Sequence, residues 1–202
     1  MQTGKFIVFE GIDGCGKTTQ LQKLAAYLTA HGRRVFVTAE PTHGVWGRQL
    51  RQALSGELSC TPAEMAALFV LDRLAHNREI DGALAAGQDV LCDRYYYSSL
   101  AYQGSLCDYE WVRRMNCECP AIRHPDLCVF LDIMPAAALA RIGKRGTARE
   151  IYENEETLSL FRDTFLRVLG TLGDPVATVD AAGTPDEVAA RVAEQMKTLI
   201  KC

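Results

Sequence analysis

The segment Gly11-Ile12-Asp13-Gly14-Cys15-Gly16-Lys17-Thr18 fits the pattern G-x-x-x-x-G-K-S/T without a mismatch. A chain of this length and average residue usage shows that pattern by accident on the order of one time in a hundred. Its surroundings strengthen the reading. Before it stands the apolar run Phe6-Ile7-Val8-Phe9, which reads as the first, central strand of a parallel sheet, buried on both faces. After it, Leu21, Leu24, Ala25 and Leu28 recur at helical spacing and His31-Gly32 supplies a stop. Strand, glycine loop and helix form a unit whose backbone N–H groups curl around phosphate oxygens, with the helix adding the positive end of its dipole. Lys17 is placed to reach the β and γ phosphates of a nucleoside triphosphate, and the Thr18 hydroxyl to face Mg²⁺. Residues Gly11, Ile12, Asp13, Gly14, Cys15, Gly16, Lys17, Thr18 and Thr19 are the expected cradle.

The same alternation continues along the chain. Val35-Phe36-Val37, Val90-Leu91-Cys92, Leu127 to Leu131 and Val176 to Val179 read as further strands, with helical patterns between them. One helix opens on a capping box, with Thr61 as cap, Pro62 in the first turn and Glu64 three positions on, and should run to about Ala86 before Gly87 closes it. The last helix repeats that start with Thr184, Pro185 and Glu187. Five strands alternating with helices predict an α/β fold with a doubly wound five-stranded parallel sheet, ligands lying beyond the carboxyl ends of the strands.

With 202 residues the chain is expected to form one domain, residues 1–202, with a short lid at about 141–153. Lys plus Arg number 22 against 25 Asp plus Glu, a net charge of -3, which gives no electrostatic footprint for nucleic acid. No apolar run reaches the length of a membrane span and the amino terminus leads straight into a strand, so a cytoplasmic location is expected. The eight cysteines form no C-x-x-C pair, and Cys117-Glu118-Cys119 has no partner pair at zinc-site spacing, which favours reduced structural thiols over a metal centre.

A phosphate loop serves kinases, switch GTPases and motor ATPases alike. None of Asn77, Asn116 or Asn154 is followed by Lys, so the N-K-x-D segment of guanine readers is absent and the GTP switch is disfavoured. A second substrate site is suggested by Asp93-Arg94-Tyr95-Tyr96-Tyr97-Ser98-Ser99-Leu100-Ala101-Tyr102-Gln103-Gly104, which follows the third strand. There Arg94 can hold a transferring or accepting phosphate, and Asp93 can orient metal or water.

That segment, D-R-Y-x-x-S-x-x-A-Y-Q-G, resembles the thymidylate kinases, nucleoside monophosphate kinases of the P-loop superfamily. The likeness extends to Glu10 through Thr19, Glu40-Pro41-Thr42, Phe69 with Arg73, and Pro125-Asp126-Leu127 leading to Leu131-Asp132, in the family's order from residue 6 to about residue 180. It implies transfer of phosphate from ATP to dTMP, with Mg²⁺, in a homodimer. By the same resemblance Phe69 stacks on the thymine ring while Arg73 bonds its carbonyl edge, a sensible pairing because the two are four apart on one helix face. Ser98, Ser99 and Gln103 fall near the base, Tyr102 against the sugar, Glu40 and Arg51 on the acceptor side, and Asp13 beside acceptor and metal. Thr18 and Asp93 are the implied metal residues.

In one branch of the family the phosphate loop holds an arginine where this chain has Gly14. The cationic stretch Arg141-Ile142-Gly143-Lys144-Arg145-Gly146-Thr147-Ala148-Arg149 should then supply that charge from a lid, with Arg145 and Arg149 as catalytic candidates and Arg141 and Lys144 on ATP. The chain departs from the family's pattern in having Ala39 before Glu-Pro and Thr42-His43 after it. His43 and His76 read as ordinary polar residues, since phosphoryl transfer needs no imidazole. Two other readings stay open: a P-loop kinase of another deoxynucleoside monophosphate, and a nucleotide-binding sensor without turnover.

Overall fold

The computed structural model describes residues 4–143 and 154–199. Its element order is β1 (Phe6–Glu10), α1 (Lys17–Ala30), β2 (Val35–Ala39), α2 (Val45–Leu54), α3 (Pro62–Ala85), β3 (Asp89–Asp93), α4 (Tyr96–Tyr102), a 3₁₀ turn (Gln103–Ser105), α5 (Tyr109–Cys117), β4 (Leu127–Asp132), α6 (Pro135–Gly143), α7 (Glu155–Thr171), β5 (Val176–Asp180) and α8 (Pro185–Leu199). All five expected strands are present. They form one parallel sheet in the order β2-β3-β1-β4-β5, with β1 at the centre as its apolar run predicts.

Register explains why the site falls where it does. Val8 pairs with Cys92 on one side and Cys128 on the other, so β3 ends level with Phe9, β1 one residue further at Glu10, and β4 two residues beyond that. The chain leaves β1 for α1 between two neighbours whose own connections diverge. This is the switch point at which a doubly wound sheet opens a crevice. All of β1, the first four residues of β3 and the first five of β4 are buried, whereas β5 alternates inward and outward as an edge strand does.

Local chemistry sets the helix ends. Thr61 accepts from the Glu64 backbone N–H and the Glu64 side chain accepts from the Thr61 N–H, which closes the expected capping box at the head of α3. The same reciprocal pair, Thr184 with Glu187, starts α8. Helix α3 ends at Ala85 with Gly87 in the left-handed region just beyond, one residue from the expected boundary. Beneath these helices Phe6, Phe9, Leu21, Leu28, Leu91, Phe130 and Phe165 form part of a continuous core. Among the described residues no helix is long and apolar enough to cross a membrane.

Helix α3 carries both Phe69 and Arg73, and its first turn depends on the Thr61 cap. Thr61→Ala is expected to cost about 1 kcal/mol and to lower the melting temperature by roughly 2–4 °C, measured by circular dichroism. An unchanged melting temperature would show that packing alone holds the helix start.

Candidate active site

The phosphate loop is held from below by close backbone contacts. Gly14 has φ +81°, and a Cβ there would lie 2.5 Å from the Ala138 carbonyl oxygen of α6. Only glycine satisfies both conditions. The Cys15 N–H donates to the Ile12 carbonyl at 3.2 Å, tightening the turn that α1 leaves. Lys17 is buried at the start of α1, and its ammonium donates to the carbonyls of Gly11 at 2.9 Å and Ile12 at 3.2 Å, with the Asp13 carboxylate 3.9 Å away. Burial raises the Cys15 thiol above its ordinary range against the pull of Lys17, so Cys15 is a packing residue of the loop and not a nucleophile. Thr18 and Thr19 are exposed at the mouth, and the Thr18 hydroxyl donates to the Asp93 carboxylate at 2.6 Å. The two residues expected to face a metal thus meet across the ends of β1 and β3.

Arg94 is the described non-glycine residue with a left-handed backbone, φ +67°. Its N–H is taken by the Phe9 carbonyl at 3.0 Å, which holds that conformation in place. The side chain is turned back to the loop. It pairs with Asp13, reaches Ser98 Oγ at 3.2 Å and lies 5.5 Å from the centre of the Tyr102 ring. Asp13 and Arg94 line two recesses at once. One is the phosphate cavity with Gly14, Gly16, Lys17, Thr18, Thr19 and Asp93; the other is a largely apolar cleft with Phe69, Arg73, Tyr95, Ser98, Tyr102 and Gln103. A third recess opens on the far side of the loop, where Gly14, Gly16, Thr19 and Arg141 meet Gly183, Pro185 and Val188. Arg141 donates to the carbonyls of Cys15, Ala181 and Gly183, tying α6 to the loop and to the turn after β5.

In the apolar cleft Phe69 is half-buried and Arg73 is fully buried, which reverses the arrangement of a core phenylalanine beside a solvated arginine. Glu40, at the end of β2, accepts from Arg73 Nε at 2.9 Å and Nη2 at 2.6 Å, and Ser99 Oγ accepts from Nη2 at 3.1 Å. Glu40 therefore lines the cleft through the arginine it holds. Arg51 is placed differently from Phe69 and Arg73. Its guanidinium donates to the carbonyls of Pro41 at 3.0 Å and Thr42 at 2.7 Å and stands outside the cleft lining. Thr42, where the family's pattern departs, is anchored by backbone and hydroxyl on Asp72 of α3. The loop after Glu40 is thus fastened by Arg51 and Asp72. Lys144, Arg145 and Arg149 lie outside the described residues.

Two residues of the site carry no motif signal. Phe161 of α7 lines the cleft and packs on Tyr102, ring centres 4.2 Å apart. Its only trace in sequence is the spacing of Leu158, Phe161 and Phe165 on a helix face. Glu10, completely buried at the end of β1, accepts from the backbone N–H groups of Tyr95 and Ser98 and from the Ser98 hydroxyl. Burial pushes its carboxyl up to about 7, against the opposing influence of Arg94 and these hydrogen bonds. Glu10 joins the phosphate-loop strand to the segment that carries Arg94.

Two recesses meeting at one phosphate channel suit a donor and an acceptor that exchange a phosphoryl group, and the fold with this site defines a P-loop phosphotransferase. A family model described as thymidylate kinase matches residues 9–192. A thymidylate kinase of Akkermansia muciniphila is 44% identical over 94% of this chain and 89% of its own length. One of Desulfotalea psychrophila is 38% identical over 98% and 96%, and a probable thymidylate kinase of Pyrobaculum aerophilum is 40% identical over 97% and 98%. The chain belongs to the thymidylate kinase family.

The folded chain keeps a proton on Glu10 that the unfolded chain releases above the ordinary 4.5, so this residue's contribution to stability declines as pH rises from about 4.5 to about 7 and levels off above. Glu10→Gln is neutral throughout and removes that slope. Urea denaturation between pH 4.5 and 8 should show the unmodified protein losing roughly 3 kcal/mol relative to the variant. Parallel pH dependences in the two proteins would contradict this protonation.

Proposed function

We propose that the chain transfers the γ-phosphoryl group of ATP to dTMP, giving dTDP and ADP. The observation that carries this reading is the sharing of Asp13 and Arg94 between the phosphate cavity and the apolar cleft, because an acceptor whose base occupies the cleft has its phosphate directed at the loop. The acceptor phosphate is largely ionised near neutrality, its second pKa being about 6, so no strong general base is needed. Positioning and neutralisation of charge carry the catalysis.

The donor phosphates lie against the backbone N–H groups of residues 11–19 at the head of α1. Lys17 exchanges its carbonyl contacts for their oxygens, and Arg141 with the turn at Gly183 frames the nucleoside end. On the acceptor side Phe69 offers a ring face to thymine, Arg73 donors to its carbonyl edge, and Tyr102 a ring to the sugar, with Ser98, Ser99 and Gln103 around the base. Arg94 bridges from Asp13 to the acceptor phosphate, where a fixed guanidinium favours the charge that moves during transfer. Arg51 acts one step away, by holding the Pro41-Thr42 backbone. Thr18 and Asp93 suit Mg²⁺, a hard ion that takes a few protein oxygens and completes its shell with water and phosphate, and when bound it would neutralise charge on the donor phosphates. The segment at 141–153 is the lid of a domain spanning residues 1–202, and Arg145 and Arg149 supply the cation that Gly14 leaves out of the loop. A cytoplasmic homodimer completes the reading. The dimer is supported by the exposed Leu71 on α3 and the exposed Val45 on α2. Light scattering should return twice the chain mass.

ADP release measured with ATP and Mg²⁺ should depend on added dTMP and stop on chelation. Release indifferent to dTMP would favour a sensor or simple ATPase, and equal turnover with dCMP a broader kinase. Arg145→Ala and Arg149→Ala should each lower kcat by about 10³-fold, as removal of an arginine finger does, while the KM for dTMP changes little. Wild-type turnover in both variants would remove the lid from the mechanism.

A further inference from the structure

Behind the apolar cleft runs a chain of buried polar groups that the clamp of Phe69 and Arg73 does not use. His76 stands three residues after Arg73 on α3, so both side chains leave the helix on the side facing Glu40. All three are buried, His76 completely. The two oxygens of Glu40 are divided between them: Oε2 accepts from Nε and Nη2 of Arg73, and Oε1 lies 3.0 Å from His76 Nδ1. A carboxylate only accepts, so Nδ1 carries the proton. Nε2, on the opposite edge of the ring, lies 2.7 Å from the Thr38 hydroxyl of β2.

We propose that His76 is a positioning residue for the acceptor base, holding Oε1 of Glu40 so that Arg73 presents its donors to the cleft at one angle. Two arginine N–H groups on a single oxygen are not the fork in which each takes its own. That one-sided attachment persists because the other oxygen is already engaged. With the imidazole gone, Oε1 would be a buried acceptor without a partner, and the carboxylate would turn to offer both oxygens to Arg73. The guanidinium follows, moving off Ser99 and Asn116, its other buried partners. Thr38 sets the ring from behind, and its own surroundings are a separate cavity of about 550 Å³ lined also by Thr18 and Asp93. The imidazole thus orients Arg73 through the carboxylate they share, without lining the cleft itself.

The inference rests on the reading of Phe69 and Arg73 as the thymine clamp, and the variants separate the two. In steady-state kinetics His76→Phe, which keeps an aromatic ring and loses both polar contacts, should raise the KM for dTMP about tenfold, the worth of one hydrogen bond. Its kcat and KM for ATP should stay within about twofold. The preference for dTMP over dCMP, whose ring offers an amino group where thymine has a carbonyl, should fall with it. His76→Asn keeps a donor where Nδ1 stands and should return the KM for dTMP to within about threefold of wild type. In an Arg73→Lys background His76→Phe should add nothing further, since the two act as one unit. A merely structural histidine would lower the active fraction, and hence kcat, with KM and base preference intact and no rescue by asparagine.

If Arg73→Lys raises the KM for dTMP and His76→Phe does not, the role of His76 is overturned and the clamp stands. If Arg73→Lys leaves that KM unchanged, the clamp fails and the inference fails with it. Should His76→Phe not fold, His76→Asn and Thr38→Val decide: near-wild-type KM in the first and a rise of about two- to threefold in the second are expected, and either departing from this overturns the proposal.

Discussion

The ion pair between Asp13 and Arg94 joins the two halves of this structure. Asp13 belongs to the loop after β1 and Arg94 to the segment after β3, and the strands that carry them are hydrogen-bonded neighbours in parallel register. Their ends are therefore a sheet spacing apart, about 4.8 Å, and a guanidinium turned sideways spans that gap. An arginine with ordinary extended backbone would continue outward along the strand. The left-handed turn at Arg94, secured by the Phe9 carbonyl, is what brings its charge home to the loop. The phosphate cavity and the apolar cleft adjoin at this pair because of it.

Three buried carboxylates, Glu10, Glu40 and Asp72, support this junction from beneath. Glu10 collects two backbone N–H groups and a hydroxyl from the start of α4. Glu40 gathers Arg73 and His76, and Asp72 fastens Thr42. Each of these three side chains ties a strand end or its following loop to a helix, so the rim of the sheet is stitched by buried hydrogen bonds while its middle is held by apolar burial. A crevice must stay open at the rim, and apolar packing alone would close it.

Much of the frame could be read from residue order because periodicity and caps are local signals. The five strands and the capping boxes at Thr61 and Thr184 needed no knowledge of what lay opposite, and helix α3 ends one residue from where Gly87 placed it. The phosphate loop and the meeting of Thr18 with Asp93 were equally legible, because parallel topology fixes which strand ends adjoin. What escaped depends on partners distant in the chain. His76 looks like any helix histidine until Glu40, 36 residues away, is seen against its ring. Nothing in an arginine announces a positive φ, and Phe161 reaches the cleft from a helix that carries no motif. The resemblance puts Arg51 on the acceptor side, and its partners in the structure are the carbonyls of Pro41 and Thr42.

Gly14 has a consequence for how such a chain can evolve. The carbonyl of Ala138 occupies the space any side chain at that position would need, and the backbone there favours glycine as well. A lineage with this geometry cannot drift by single replacements toward a cradle that carries its own arginine, since α6 would first have to withdraw and would take Arg141 with it. Replacing Gly14 and displacing α6 are thus coupled changes, neither of which the loop accepts without the other.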